Sequence, residues 1–404
     1  MRREHSGGGV CCPISVLLAT LAAIVVVSPF ATGAQEPSTE QEQAEEEREA
    51  DEQEQTDESN PFPWVVAGDF RLRFERTNNQ EKGGLPDRLE PRKRGVVRFR
   101  LGVTKEFNEL LGFGVRVTTG NPDDPNSTDV TLGNFLDDLA ISLDRVYLGL
   151  TYKDFFLVGG KFPNPFLRTD LVWDGDVNPQ GAAGSYRYAG FETVVAKVSG
   201  IYFIVDEATI VERDSSMVGG QGELLISPAP DWSLRFSAGY YDYDINSLIG
   251  ATLGDIRGNR IIITPAGPQY VSDFNLFDTI AIVDYLGLGA RYPIRFVGDY
   301  VKNFGNEDHE SGLMLDLFVG PLSKKNDLRF RYGYAEAQTD AFLAAFSNDN
   351  TTYATNYVQH TVTVDYQAFE NFLLNATYYV YRRLETTDPN PWITRLRLNA
   401  MVTW

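Results

Sequence analysis

The chain has 404 residues, a formal net charge of −20, 43% hydrophobic residues and a mean hydropathy of −0.25. This hydropathy excludes a bundle of membrane-spanning helices but permits a membrane barrel, whose strands alternate apolar and polar residues. The acidic balance argues against nucleic-acid binding, because nucleic-acid-binding proteins present basic faces.

The first 34 residues have the layout of a secretory signal peptide. Arg2 and Arg3 precede an apolar run at 13–27, and small residues at 31–34 follow it. The run is about 15 residues, shorter than the roughly 20 that a spanning helix needs. Both cysteines of the chain lie before this run, where lipoprotein acylation is not expected. Cleavage after residue 34 would leave a mature chain without cysteine, which excludes a disulfide-stapled fold.

Residues 35–60 are strongly acidic. They contain twelve acids and one base, with no apolar stripe. Such a segment cannot bury enough surface to offset its ordering entropy. The sequence therefore predicts a disordered periplasmic tail, either solvated without a specific role or in contact with a periplasmic partner.

From residue 61 onward the residue pattern has a period of two. Over 66–75, Phe70 and Leu72 share one face while Arg71 and Arg73 share the other. A strand separates side chains in this way and a helix does not. The fold class predicted for residues 61–404 is all-β, a transmembrane antiparallel β-barrel of about 16 strands.

The same alternation predicts sixteen strands along the chain. The pair 190–199 and 201–208 also fits one bent strand, and the turn near 286–293 is weakly defined. The predicted strands are 64–76, 92–105, 111–120, 141–152, 155–162, 190–199, 201–208, 217–227, 231–242, 274–285, 294–302, 312–320, 327–337, 356–367, 371–382 and 393–404.

The connections between these strands alternate in length. Short turns are predicted at 153–154, 199–200 and 368–370, and long connections include 121–140 and 163–189. Bacterial outer-membrane barrels combine short periplasmic turns with long external loops and an even number of strands. A soluble β-sandwich has no reason to keep this asymmetry.

The C-terminal strand ends in an aromatic residue. Leu396, Leu398 and Trp404 share one face of the alternating sequence at 395–404. Outer-membrane barrels end in a strand of this kind, usually closed by Phe, which the barrel-assembly machinery recognises. We therefore expect that machinery and outer-membrane lipid to be partners of the chain.

Several sequence blocks resemble the bacterial putative-porin family, a branch of the general and phosphate-selective outer-membrane porin group. They are GKFPNPF (160–166), DLVWDGDVNP (170–179), SDFNLFD (272–278) and GDYVKN (298–303), with a further likeness at 330–350. The resemblance covers about residues 90–404. It implies a passive diffusion channel for small hydrophilic solutes in the outer membrane of a Gram-negative bacterium. The acidic tail and the terminal Trp404 depart from the family pattern.

If the apolar face meets lipid, the other face lines the lumen. Eight arginines then line the pore, on strands that become neighbours when the barrel closes. Such a wall favours anions, since guanidinium stays charged at any working pH. The alternative is that these arginines form ordinary ion pairs with lumenal carboxylates such as Glu75 and Asp144. The predicted pore-lining residues are Arg71, Arg73, Arg98, Arg100, Arg116, Arg145, Arg395 and Arg397.

The stretch 155–189 contains the third long connection. Prolines at 163 and 165 end its first strand, because proline has no N–H for a sheet ladder. The resemblance to porins implies that this loop folds inward and narrows the pore, with an acidic side facing the arginines. The predicted constriction residues are Asp170, Trp173, Asp174 and Asp176. The alternative is an exposed loop with Asx turns.

Two other functions are open from the sequence. A barrel hydrolase would need a Ser–His arrangement, but neither His309 nor His360 has an evident serine partner. A plugged receptor or adhesin would need a globular plug, and only the acidic tail precedes the barrel. No HExxH or paired CxxC spacing is present, so we expect no catalytic residue, metal or cofactor. The solute, the sign of charge selectivity and the choice between monomer and homotrimer are left open.

Overall fold

The computed structural model describes most of the chain after residue 61. The predicted signal peptide and acidic tail lie outside the described residues, and no helix among those residues is long and apolar enough to cross a membrane. The described residues are 62–79, 91–124, 126–133, 138–191, 193–207, 213–248, 251, 256, 258–265, 267–386 and 390–404.

Strand formation follows the period-two pattern. In the first strand, Trp64–Asn78, Asp69 and Arg73 are buried while Phe70 and Leu72 are exposed. The exposed apolar face is the one that a membrane barrel presents to lipid, and the buried polar face points to the barrel interior. The alternation of polar and apolar residues along the sequence thus gives the barrel a polar inner face and an apolar outer face.

Nineteen strands are present in the described residues, and sixteen of them form the barrel. The short β4, β11 and β12 lie in connections. The strands are β1 (Trp64–Asn78), β2 (Arg92–Glu106), β3 (Leu111–Thr119), β4 (Val130–Thr131), β5 (Ile141–Tyr152), β6 (Phe155–Lys161), β7 (Gln180–Phe191), β8 (Val194–Asp206), β9 (Ser215–Ala229), β10 (Trp232–Asp244), β11 (Ile261–Thr264), β12 (Gly267–Tyr270), β13 (Phe274–Tyr285), β14 (Ile294–Asn303), β15 (Ser311–Val319), β16 (Leu328–Ala337), β17 (Tyr357–Phe369), β18 (Phe372–Arg382) and β19 (Ile393–Thr403).

The barrel closes through antiparallel pairing of β1 with β19, in a register that places Asp69 opposite Thr403. Each other barrel strand pairs with the barrel strands before and after it in sequence. Beyond the end of β19, the backbone of Trp404 exchanges two hydrogen bonds with Gly68, at 2.9 and 3.0 Å. A side chain at Gly68 would collide with the Trp404 indole, so glycine is needed where the terminal aromatic covers the seam. The predicted all-β barrel of sixteen antiparallel strands is confirmed.

One predicted strand pair is wrong. The prediction placed strands at 190–199 and 201–208, with a turn at Ser199 and Gly200. The structure has β7 from Gln180 to Phe191 and β8 from Val194, and Phe191 pairs with Val194 at the end of the two strands. Ser199 and Gly200 are in the middle of β8, paired on both sides with β7 and β9. A glycine inside a paired strand was thus mistaken for a turn, and the preceding long connection ends at 179 instead of 189.

The connections differ in length between the two barrel ends. Seven turns of two to eight residues lie at one end, together with the start of β1 and the end of β19. The connections at the other end have seven to 29 residues, and this is the external end in this class of barrel. The eight external connections, numbered first to eighth, are 79–91, 120–140, 162–179, 207–214, 245–273, 304–310, 338–356 and 383–392.

Candidate functional site

The predicted arginines lie on the buried faces of five consecutive barrel strands, β19, β1, β2, β3 and β5. Arg98, Arg100, Arg395 and Arg397 are each at most 5% exposed. Each arginine is placed there by its strand's alternation, which puts Phe, Leu or Val on the opposite face. Several carboxylates also line this region, and they divide the arginines into groups.

Asp69 and Glu75, both on β1, each bind arginines from neighbouring strands. Asp69 accepts from Arg98 Nε at 2.9 Å and from Arg100 Nε at 2.5 Å. Glu75 accepts from Arg94 Nε and Arg397 Nε, both at 2.8 Å, and its other ion pair is with Arg395. Some of the ion pairs between arginines and Glu75 that the alternative interpretation expected are therefore present.

Asp129 belongs to the second connection and reaches the same wall. It pairs with Arg71, and its distance to Arg73 Nη1 is 2.5 Å. Burial alone would raise the pKa of Asp129, but the surrounding guanidiniums, Arg71 and Arg73 foremost, hold that pKa well below its usual range. Asp129 is thus ionised at any working pH and neutralises part of the wall.

Arg116 and Arg145 form a separate group beside the wall. Arg116 Nε lies 2.5 Å from Asp144, and Arg145 Nε donates to Asn178 Oδ1 at 2.6 Å. Strict alternation would place Asp144 and Arg145 on opposite faces. A register shift between β3 and β5 at this level lets both point inward. The shift explains how both residues that the sequence assigned to the lumen can be there.

The third connection is buried along most of its length. Trp173 is 0% exposed and lies among the aromatic rings of Phe203, Tyr241 and Phe346, at centroid distances of 5.9 to 6.3 Å. These rings come from the inner faces of β8 and β10 and from the seventh connection. Trp173 is thus packed between barrel strands and the seventh connection.

The three predicted loop acids have different surroundings. Asp176 meets the arginines, with Oδ1 3.3 Å from Arg100 Nη1, and it also accepts from the backbone and hydroxyl of Thr128. Asp170 and Asp174 have no ion pair among the described residues. Burial raises the pKa of Asp170, and burial with the nearby Asp349 raises the pKa of Asp174 further.

The seventh connection was not predicted to contribute to the site, yet it packs against the third. Asp174 N donates to Phe346 O at 2.8 Å, and Asn348 Nδ2 donates to Asp170 O at 2.8 Å. Asn350 reaches the arginines, with its Oδ1 2.7 Å from Arg397 Nη1. The apolar run AFLAAF at 341–346 is unusual for an exposed loop, and this signal in the sequence could have revealed the buried segment.

A cavity runs between these elements. Its volume is about 220 Å³, many times the roughly 10–15 Å³ that holds one water by the same measure. One side carries the arginines of β1, β2 and β19, and the far side carries Arg329 and Arg331 of β16 with their partners Asp365 and Asp316. Asp170, Asp174 and Asp349 line the edge between them. The interior thus holds a charged cavity with room for several water molecules.

The two histidines of the barrel lie away from this cavity. His309 Nδ1 is 2.6 Å from Glu385 in the external connections. His360 Nδ1 is 2.9 Å from the Tyr332 hydroxyl on the outer face of the barrel. Neither contact is with a serine, and no cluster of three metal-ligating side chains occurs in the described residues.

The comparisons with solved structures show the same fold. The high-pH structure of OprB from Pseudomonas putida gives a TM-score of 0.53 at 10% identity, covering 84% of this chain and 94% of that one. In-vitro folded OmpT, an outer membrane protein of Vibrio cholerae, gives 0.50 at 12% identity, covering 86% and 99%. No curated protein matches the sequence. The sequence model of the Putative porin family matches residues 38–252, more than half of the chain. The chain therefore belongs to the Putative porin family, and it is a sixteen-stranded barrel of the bacterial outer membrane.

Proposed function

We propose that this porin is a passive diffusion channel for small hydrophilic solutes and that it favours anions. The observation that carries the proposal is the charged cavity that arginines of β1, β2 and β19 line along one side. Rings or walls of Arg and Lys in a pore favour anions. No step of the proposed function needs a catalytic group, because the solutes cross by diffusion.

The arginine wall keeps an excess of positive charge after its ion pairs are counted. Seven guanidiniums share four carboxylates, those of Asp69, Glu75, Asp129 and Asp176. Because the pairs leave guanidiniums in excess, pairing reduces the wall's field without cancelling it. The arginine wall consists of Arg71, Arg73, Arg94, Arg98, Arg100, Arg395 and Arg397.

Two of the three acids on the cavity's edge oppose this field only weakly. Burial raises the pKa of both Asp170 and Asp174, so their negative charge is reduced near neutral pH. The arginines stay charged at the same pH. An ion inside the cavity is also nearer to the wall than a screening length of about 8–10 Å. We therefore expect the wall to decide the sign of selectivity.

The third and seventh connections act in this proposal as the constriction. A barrel of about sixteen strands is wide enough for an aqueous channel. Both connections bury apolar side chains inside it, including Trp173 and Phe342 at 0% exposure. Trp173 packs against β8 and β10, Phe342 lies near Gly312 of β15, and the cavity remains beside the arginine wall. Only small solutes are expected to pass.

Swelling of proteoliposomes tests this function. We expect vesicles that contain the protein to swell faster in small anionic solutes than in cationic solutes of matched size, and not at all in large oligosaccharides. Protein-free vesicles are the control. Equal rates for both charges would contradict the anion preference, and swelling in large oligosaccharides would contradict the constriction.

A further inference from the structure

Two buried carboxyl groups lie beneath the third connection without a cation. Asp278 on β13 and Asp299 on β14 point into the barrel and are 2% and 1% exposed. In the part of the chain that the structure describes, neither has a Lys or Arg within 4.0 Å. Buried carboxylates are usually paired, because an isolated buried charge is costly. These two therefore need another explanation.

The hydrogen bonds indicate that the two groups share a proton. The Tyr241 hydroxyl donates to Asp278 Oδ2 at 3.2 Å, and the Thr169 hydroxyl donates to Asp299 Oδ2. Both Oδ1 atoms are buried without a donor. The register of β13 and β14 pairs Asp278 with Val301 and Ile280 with Asp299, so the two inward carboxyl groups are diagonal neighbours. Ionised carboxylates only accept hydrogen bonds, so two such groups without a cation are best satisfied when they share one proton.

The pair is connected to the third connection at several points. Thr169 belongs to that connection, and Phe166 stacks on Tyr241 at 5.2 Å. The backbone of Leu167 donates to and accepts from Gln221, whose Nε2 lies 3.3 Å from the Tyr241 hydroxyl. Residues 166–169 are therefore held by one network that includes both carboxyl groups.

Other titratable groups near the pair are neutral tyrosines or further acids. Tyr241 and Tyr243 approach from β10, and Tyr357 approaches from β17. Asp170 lies beyond Tyr357 on the third connection, where Arg168 and Arg331 face it. These two arginines counter Asp170, and among the described residues neither forms an ion pair with Asp278 or Asp299.

We propose that Asp278 and Asp299 are positioning residues that hold the third connection in place through their shared proton. The inference rests on the proposed function, in which this connection narrows the pore. Loss of the proton puts two facing charges in a buried site and removes the hydrogen bond between them. The third connection then detaches from the barrel wall. Because the open space next to it is the cavity, the detached connection moves there and blocks it in part. Partial closures of the channel are therefore expected at alkaline pH.

Single-channel recording at a series of pH values tests this proposal. The series runs from about pH 5 to about pH 9, which spans the pKa values documented for buried carboxyl groups. Because one proton is lost, the frequency of partial closures should rise about tenfold per pH unit below the midpoint. Asp299→Asn keeps one charge and can still donate to Asp278 and accept from Thr169. We expect this variant to show no alkaline closures, and Thr169→Val to show closures at every pH.

Asp242→Asn is the matched control, since Asp242 lies on the outer face of β10 next to Tyr241. We expect it to keep the wild-type pH response. Alkaline closures that persist in Asp299→Asn, or a wild-type channel without them, would overturn the proposal. Failure of the proposed constriction is recognised separately, because shortening the third connection would then leave the conductance at neutral pH unchanged.

Discussion

Deletion of residues 168–178 is expected to raise the single-channel conductance by roughly twofold or more, because pore diameter at the narrowest section controls passage. The deleted segment contains Trp173, which fills the interior between β10 and Phe346. The conductance is measured on purified, refolded barrel in planar bilayers. The anion preference should weaken as well, since the passage widens and ions move further from the arginine wall.

Two further variants make this result interpretable. Trp173→Ala removes the largest buried side chain of the segment, which typically costs about 3–5 kcal/mol of packing, and it should raise conductance and current noise. Deletion of 306–308 shortens the sixth connection, whose exposed residues are outside the cavity, and should leave conductance as in the wild type. If neither the 168–178 deletion nor Trp173→Ala changes the conductance of a folded barrel, the third connection is not the constriction.

Neutralisation of Arg98 and Arg100 is expected to shift selectivity toward cations. Both guanidiniums bind Asp69, and breaking a buried pair by removing one side costs about 3–5 kcal/mol. The substitution Asp69→Asn is therefore combined with Arg98→Gln and Arg100→Gln, so that Asp69 is not left as an unpaired buried charge. The triple variant removes one net positive charge from the wall, and its reversal potential in a salt gradient should move measurably toward the cation side.

The control for this variant is a double substitution on the far side of the cavity that leaves the net charge unchanged. Arg329 and Asp365 form an ion pair at 3.0 Å, and both line the same passage. Arg329→Gln with Asp365→Asn removes one charge of each sign, so the reversal potential should stay where it is. An equal shift in both variants would mean that the wall's excess charge does not determine selectivity.

The barrel could be predicted from the sequence because the residue pattern that forms each strand lies within that strand. Alternation in each strand determines which side chains point inward, except that Asp144 and Arg145 both do so because of the register shift between β3 and β5. The same rule failed at Gly200, where a glycine inside β8 has the composition of a turn. Its pairing with Gly184 and Gly220 depends on strands elsewhere in the chain.

The partners of the arginines could be predicted only in part. Glu75 and Asp144 were expected as lumenal carboxylates because they lie on barrel strands. Asp129 and Asn350 come from external connections that return to the wall, and nothing in their local sequence specifies how far a connection reaches. The seventh connection was missed for the same reason, although its apolar run at 341–346 indicated burial.

The charge of the loop acids also required the structure. The sequence shows Asp170, Asp174 and Asp176 as three equal carboxylates. In the fold, Asp176 contacts Arg100, while burial raises the pKa of the other two. This difference is the basis of our proposal that the arginine wall determines the sign of selectivity, which the sequence left open.

The reversal potential of the mature protein in a planar bilayer under a salt gradient tests the central claim most directly. The account predicts discrete conductance steps and a reversal potential on the anion-selective side at neutral pH. A cation-selective reversal potential would contradict the role of the arginine wall. A folded, heat-modifiable barrel that gives no steps would contradict the open channel itself.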